Sequence, residues 1–163
     1  MKNILTVFAL ATALSLSAEV PHFGVQGGVS LPAQDLADNA SLGLQLGGHA
    51  RWNFKHGQTL MARADMTLYD QNNNTNVTTF GVGADYIYHL ERRPSGLYLL
   101  AGLSNQNYHT SFTNSSRNDS GLGIDLGAGY DLDRHLGLQA RYTTHSFNGL
   151  TYAALNLGAT YTF

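Results

Sequence analysis

The sequence predicts an all-β fold, an eight-stranded antiparallel up-and-down transmembrane β-barrel with a side-chain-filled lumen. Three observations predict this fold. Apolar and polar residues alternate in eight segments bounded by turn residues. Long polar connections alternate with tight turns, as in barrels that cross a membrane. Each segment has about ten residues or a little more, which is the length a tilted strand needs to cross the hydrocarbon layer.

The last segment, residues 152–163, shows the alternation most clearly. One face carries Ala153, Leu155, Leu157, Ala159, Tyr161 and Phe163. A chain terminus is usually polar and frayed. An apolar face that continues to the last residue therefore indicates a strand whose outer side contacts lipid.

The first four segments show the same period of two. Residues 23–31 place apolar side chains at odd positions, with glycine or polar residues between them. Residues 42–54 place leucines and aromatics at even positions. Residues 60–69 and 80–89 continue with apolar even positions and with arginine and aspartate among the odd ones. Each pattern predicts a strand with one lipid-facing side.

Three further segments precede the last one. Residues 97–106 have leucines on the expected outer face and an inner face with few polar residues. Residues 122–131 alternate apolar residues with glycine and aspartate, and residues 136–145 alternate them with polar residues. Polar loops are expected at residues 32–41, 70–78 and 109–120, tight turns around residues 55–58, 91–96 and 133–135, and a short link at residues 147–151.

Residues 1–18 are predicted to be a cleaved signal peptide. Lys2 is followed by an apolar run over residues 4–16 and by small residues that end at Ala18, the expected cleavage site. This run is too short for a membrane-spanning helix; the alternative is a buried N-terminal helix. Residues 19–163 then form a single β-barrel domain.

The composition excludes several kinds of chemistry. The chain has no cysteine, which removes disulfides and thiolate sites. Its low, mixed charge provides no basic patch for nucleic acid. The seven histidines show no convincing metal-ligand spacing, and His49 and His89 are expected to face the lumen as neutral hydrogen-bonding groups. No metal, cofactor or catalytic residue is predicted.

Aromatic residues on the outer face concentrate beside the tight turns and the termini, which predicts an interfacial girdle at one depth. The residues of the predicted girdle are Phe23, Trp52, Phe54, Tyr86, Tyr88, Tyr130, Tyr161 and Phe163.

Charged residues on the inner face predict a polar network inside the lumen. An eight-stranded barrel is just wide enough for its own side chains to fill, and buried charges persist when they are paired. The residues of the predicted network are Arg51, Arg63, Asp65, Asp85, Asp125, Asp131 and Arg141. A structural network is favoured over a proton or solute path.

The final residues, LNLGATYTF, resemble the C-terminal strand of the small eight-stranded outer-membrane barrels. This group includes OmpX-like proteins, the OmpA membrane domain and opacity-type proteins, and the resemblance covers residues 19–163. It implies that Leu157, Ala159, Tyr161 and Phe163 are the assembly signal read by the barrel-assembly machinery. It also implies residence in the outer membrane of a Gram-negative-type bacterium, in contact with lipid and lipopolysaccharide.

The expected function is non-enzymatic, with a structural or surface-interaction role in adhesion or envelope integrity. The loops at residues 70–78 and 109–120 are the expected binding sites for an unknown surface ligand. A narrow pore or conduit for small molecules is the alternative.

A lipopolysaccharide-modifying enzyme is the third possibility. Residues 141–150, RYTTHSFNGL, faintly resemble a stretch of the lipid A deacylase PagL. His145 and Ser146 are adjacent, however, so their side chains point to opposite faces of a strand. The link to the last strand also has no acidic residue to orient the histidine. The simpler interpretation is a histidine and a hydroxyl at the rim of the barrel.

Overall fold

The computed structural model describes residues 20–71, 76–91, 93, 95–112, 115–147 and 149–163. Eight strands form a closed barrel in which each strand pairs antiparallel with the next and β8 pairs back to β1. The strands are β1 His22–Gln34, β2 Ala40–Asn53, β3 Gln58–Gln71, β4 Asn76–His89, β5 Gly96–Phe112, β6 Ser115–Asp131, β7 Leu136–Phe147 and β8 Leu150–Thr162. The predicted fold class is confirmed. The predicted signal peptide lies outside the described residues.

Closure depends on the pairing of β1 with β8. The register runs from Gly24 opposite Thr162 to Gln34 opposite Tyr152. The two backbones approach closely near the middle of this pair, where Gly28 lies opposite Gly158. A Cβ atom on Gly158 would lie 2.6 Å from the backbone oxygen of Gly27, so the close approach requires glycine there.

Apolar side chains lie on the outside of the barrel and charged side chains lie inside it, which is the reverse of the arrangement in a soluble protein. Leu44, Leu103 and Leu122 are 64%, 66% and 76% exposed on the outer face. The inner face buries charged side chains such as Arg63 and Asp85. The predicted faces of β5 are confirmed, because Tyr98 and Leu100 are buried while Leu97 and Leu99 are exposed. An apolar belt of this extent is far larger than a soluble monomer exposes.

Within the described part of the chain, no helix has the length and apolar character needed to span a bilayer. Apart from the strands, regular structure in these residues is a single 3-10 turn at Lys55–Gly57. His56 and Gly57 adopt positive φ values of 67° and 75° in it, which allows β2 to reverse into β3 within a few residues.

The predicted contrast between long loops and tight turns is wrong. The backbone of residues 109–120 is largely strand, because β5 and β6 stay paired until Phe112 lies opposite Ser115. β1 likewise extends to Gln34, and β3 and β4 extend into the stretch at residues 70–78. Polar residues weaken the apolar alternation, but their backbone groups still require partners, and the neighbouring strand provides them.

The two ends of the barrel are therefore named by their connections. The hairpin end is where β1–β2, β3–β4, β5–β6 and β7–β8 are joined, and the turn end is where β2–β3, β4–β5 and β6–β7 are joined. β5 and β6 each have 17 residues, whereas a strand crosses the hydrocarbon layer with about 9–11. The β5–β6 hairpin consequently extends beyond the layer at the hairpin end.

Candidate functional site

The centre of the lumen holds a network of ion pairs around Arg63 on β3. Its Nε donates to Asp85 Oδ2 at 3.1 Å and one terminal nitrogen donates to Asp125 Oδ2 at 2.7 Å. The other terminal nitrogen pairs with Asp65. Arg141 on β7 donates to the same oxygen of Asp85 at 2.8 Å. Side chains from four strands thus meet in one buried network.

Glycines on the inner face provide the space for this network. Gly83 lies directly opposite Arg63 in the β3–β4 register. A Cβ atom at Gly83 would lie 3.0 Å from the guanidinium carbon, so a larger residue would displace the arginine. The small residue and the long one are therefore complementary in volume, as close packing of an interior requires.

The other two predicted network residues lie apart, towards the turn end. Arg51 donates to both carboxylate oxygens of Asp131, at 3.3 and 3.2 Å. His89 contacts Asp131 Oδ2 at 3.0 Å and the backbone oxygen of Gly57 at 3.2 Å. The seven charged residues therefore form two groups, one of five residues and one of two, with His89 joining the second.

An apolar cluster closes the lumen at the hairpin end. Its buried members are Leu36, Ala40, Tyr69, Val77, Tyr108, Tyr152 and Ala154. The Tyr108 and Tyr152 rings meet edge to face at 5.0 Å, and the Tyr69 hydroxyl bonds to Ser30 at 2.8 Å. Sequence reasoning missed this cluster because Leu36, Ala40 and Val77 fall in stretches interpreted as loops. The three tyrosines occupy inward-facing positions in the alternation of their strands, and this pattern was the signal from which the cluster could have been predicted.

His145 lies inside the lumen and not at the rim, so that interpretation was wrong. The histidine is fully buried because β7 continues past it to Phe147. Its ring nitrogens bond to Ser104 Oγ at 3.1 Å and to the Tyr108 hydroxyl at 3.2 Å. Ser146 is exposed on the opposite face. The two residues are not arranged as a nucleophile and its base.

The turn end of the lumen is open. A cavity of about 370 Å³ lies there, with Arg51, His89 and Asp131 among its lining residues. Asp133 and Arg134, from the β6–β7 turn, also line it. The backbone amides of Leu136 and His135 donate to the Asp133 carboxylate and lower its pKa. The lumen is therefore asymmetric, with an apolar closure at one end and a polar opening at the other.

The outer-face aromatics lie close to the turn end by strand register. Trp52 lies opposite Leu60, which in turn lies opposite Tyr86, and Tyr130 lies opposite both Leu97 and Leu138. Of the eight residues of the predicted girdle, those that are exposed are Phe23, Tyr86, Tyr130, Tyr161 and Phe163, and those that are half-buried are Trp52, Phe54 and Tyr88.

Within the described ranges, no three histidine or acidic side chains are grouped closely enough to hold a metal ion. His49 bonds to Thr162 Oγ1 at 3.1 Å, and His135 Nδ1 donates to the backbone oxygen of Thr162 at 2.8 Å. His49 thus links two strands, and His135 links the β6–β7 turn to β8.

Comparison with known protein families places the chain in one of them. The family model described as outer membrane protein beta-barrel domain matches residues 4–163. The chain belongs to this family. It is therefore an outer-membrane protein, and the resemblance inferred from its sequence is confirmed.

Solved structures of similar fold include three bacterial barrels. Ail, the attachment invasion locus protein of Yersinia pestis, is 16% identical with a TM-score of 0.59, over 88% of this chain and 97% of that one. Neisserial surface protein A is 19% identical with a TM-score of 0.57, over 90% and 99%. The N-terminal barrel of Pseudomonas aeruginosa OprF is 16% identical with a TM-score of 0.56, over 90% and 99%.

At these identities the likeness shows a shared fold alone. A second structure of Ail, 18% identical to this chain with a TM-score of 0.60 over 89% of it and 100% of that chain, contains the heparin analogue sucrose octasulfate. A comparison with curated protein sequences finds no match.

The Arg63→Met substitution is expected to destabilise the barrel by about 3–5 kcal/mol, because it leaves buried carboxylates without their cation. The Arg51→Met substitution should lower the free energy of unfolding by clearly less, because Asp131 still contacts His89 and lies near the open end of the lumen. The measurement is unfolding by urea in detergent, in which the folded and unfolded fractions are separated by their different electrophoretic mobility. Arg134→Met, at an exposed position, is the control. Equal losses for Arg63→Met and Arg51→Met would contradict the description of the network.

Proposed function

We propose that this protein is a non-enzymatic integral outer-membrane barrel with a structural or surface-interaction role. The observation that carries the proposal is the closure of the lumen. Ion pairs centred on Arg63 fill its middle, and the apolar cluster around Tyr108 and Tyr152 closes its hairpin end. A protein closed in this way interacts through its outer surface.

A narrow pore fits these contacts less well. Ions crossing the lumen would have to displace a guanidinium that has three carboxylate partners and then pass between packed tyrosine rings. Both steps would expose unpaired charges in a buried environment, which is costly. The side-chain-filled lumen of an eight-stranded barrel agrees with this argument.

Lipid A modification is also disfavoured by geometry. The acyl chains of outer-membrane lipid lie against the outer face, whereas His145 is buried in the lumen beneath the tyrosines. Ser146 is exposed but has no base beside it among its described neighbours, because His145 bonds to Ser104 and Tyr108.

The hairpin end is the proposed interaction surface. The β5–β6 hairpin projects furthest from the barrel and corresponds to the long extracellular loops of outer-membrane barrels, which places the hairpin end outside the cell and the turn end in the periplasm. Acidic residues outnumber basic ones at the hairpin end, where Asp35, Asp38, Asp70 and Asp119 lie together with Arg117. These acidic side chains suit a cationic or neutral polar partner better than a sulfated polyanion such as the heparin analogue bound by Ail. Contact with lipopolysaccharide phosphates would then use bridging divalent cations.

The last strand is proposed as the signal for the barrel-assembly machinery. Leu157, Tyr161 and Phe163 point outward and are exposed, and Ala159 lies between them on the same face. The Tyr161 and Phe163 rings are 5.7 Å apart at the turn end. A continuous apolar and aromatic face on one strand is a surface that a partner can recognise before the barrel closes.

In planar bilayers the purified protein is expected to produce no stable conductance, because its lumen is closed. The Tyr108→Ala/Tyr152→Ala variant should also remain silent, since the network around Arg63 lies below these tyrosines. A sixteen-stranded porin is the positive control. Large and stable current steps from the unaltered protein would overturn the proposal of a closed barrel.

Removal of the projecting hairpin is expected to abolish surface attachment while the barrel still folds. His109 lies opposite Asn118, so residues 110–117 can be replaced by an Asn-Gly turn, which connects two paired strands directly and keeps Tyr108 in the apolar cluster. Bacteria producing this variant should adhere to host-cell layers no better than bacteria without the protein. The matched control is Arg93→Gln at the turn end. Unchanged adhesion of the shortened protein would refute the assignment to the hairpin.

A further inference from the structure

The open turn end contains a binding site that the proposed surface role does not use. We call it the vestibule, the cavity of about 370 Å³ lined by Arg51, Asn53, Asp131, Asp133, Arg134 and neighbouring residues. Its volume lies within the range of small-molecule sites, roughly 300–1,000 Å³. The kind of ligand that it can bind depends on which hydrogen-bond donors and acceptors in its lining already have partners within the protein.

The acceptors of the vestibule are largely engaged. Asp131 accepts from Arg51 with both oxygens and also contacts His89. One oxygen of Asp133 accepts the backbone amides of His135 at 2.6 Å and Leu136 at 2.8 Å. The side-chain oxygen of Asn53 accepts from Thr59 at 2.8 Å.

Several donors, in contrast, remain unengaged. The terminal nitrogens of Arg51 donate to Asp131 and, at 3.4 Å, to Thr160 Oγ1, whereas its buried Nε makes no well-aligned hydrogen bond among the described residues, although the Tyr98 hydroxyl lies beside the guanidinium. The guanidinium of Arg134 makes no hydrogen bond or salt bridge within the described part of the chain and is attracted electrostatically to the Asp133 carboxylate. A buried guanidinium N–H without an acceptor is unfavourable. The lining therefore combines two arginines that have N–H groups available with two aspartates, of which Asp131 is fully engaged and Asp133 is engaged through one oxygen.

We propose that the vestibule binds a phosphate group presented from the periplasmic side. Arginine guanidinium groups bind phosphate through paired N–H donors. A phosphate provides several acceptor oxygens for the two arginines that line the cavity, the buried Arg51 and the exposed Arg134. Asp131 is held by Arg51 and His89, and one oxygen of Asp133 is held by the β6–β7 turn. The attraction of Asp133 to Arg134 is between exposed groups and therefore weak, so a phosphate can replace it. Phospholipid headgroups of the inner leaflet and soluble phosphate share this chemistry.

The test uses the full barrel in dodecyl maltoside and titrates inorganic phosphate against sodium chloride of equal ionic strength. Nitrogen-15 NMR follows the arginine Nε–H signals and the amides of residues 133–136. We expect saturable shifts of Arg51, Arg134 and the turn amides. Arg134→Gln should weaken the apparent affinity at least about fivefold, while Arg93→Gln, an exposed cation of another turn outside the vestibule lining, should leave it unchanged.

Shifts that do not saturate, or equal loss in Arg134→Gln and Arg93→Gln, would overturn the proposal, because they indicate general charge screening. Nanodiscs distinguish the two sources of phosphate. If lipid headgroups fill the vestibule, its signals are already shifted in phosphatidylglycerol discs, and added phosphate changes them no further. If soluble phosphate is the ligand, titration shifts them equally in phosphatidylcholine and phosphatidylglycerol discs. Both outcomes support a phosphate site and name its source.

Discussion

Backbone hydrogen bonding between β1 and β8 is the constraint on which the other features depend. No water is available inside a bilayer to satisfy a free strand edge, so a sheet can cross only when it closes on itself. The β1–β8 register achieves this over eleven residue pairs, with Gly28 opposite Gly158 where the chains approach closely. Closure with eight strands then fixes a narrow lumen that side chains must fill.

A filled lumen inside an apolar belt has direct consequences for its chemistry. The outer face is occupied by lipid-facing residues, so polar residues lie inside, where each charge requires a partner. Arg63 provides one for three carboxylates, and Arg51 for a fourth. The lumen ends differently on its two sides, with a closure by tyrosines at the hairpin end and a cavity at the turn end. One end presents projecting strands, and the other presents a cavity.

Periodicity predicted the eight strands and which face of each points outward. It did not predict how far each strand extends or which side chains contact one another in the lumen. The alternation with a period of two is clear where the outer face contacts lipid and carries leucine and aromatic residues, as in β2 and β8. It fades in residues 109–120, which are polar on both sides, although β5 and β6 remain paired there. Parity placed His145 on the inner face, but the depth of a residue depends on how far its strand continues. Arg63 on β3 pairs with Asp125 on β6, three strands further along the chain. This contact depends on how the barrel closes, which the alternation of residues along one strand does not reveal.

Closure of the sheet can be tested directly because the chain contains no cysteine. Val29 lies opposite Leu157 across the β1–β8 pair, whereas Ala153 lies four residues before Leu157 in β8, opposite Ala33. Directly opposite residues are within disulfide reach, and residues displaced by four are not. Oxidation of folded Val29→Cys/Leu157→Cys should give an intramolecular disulfide, seen as a mobility shift lost on reduction, and Val29→Cys/Ala153→Cys should give none. A cross-link in the displaced pair, or none in the aligned pair, would contradict the closed barrel on which the account depends.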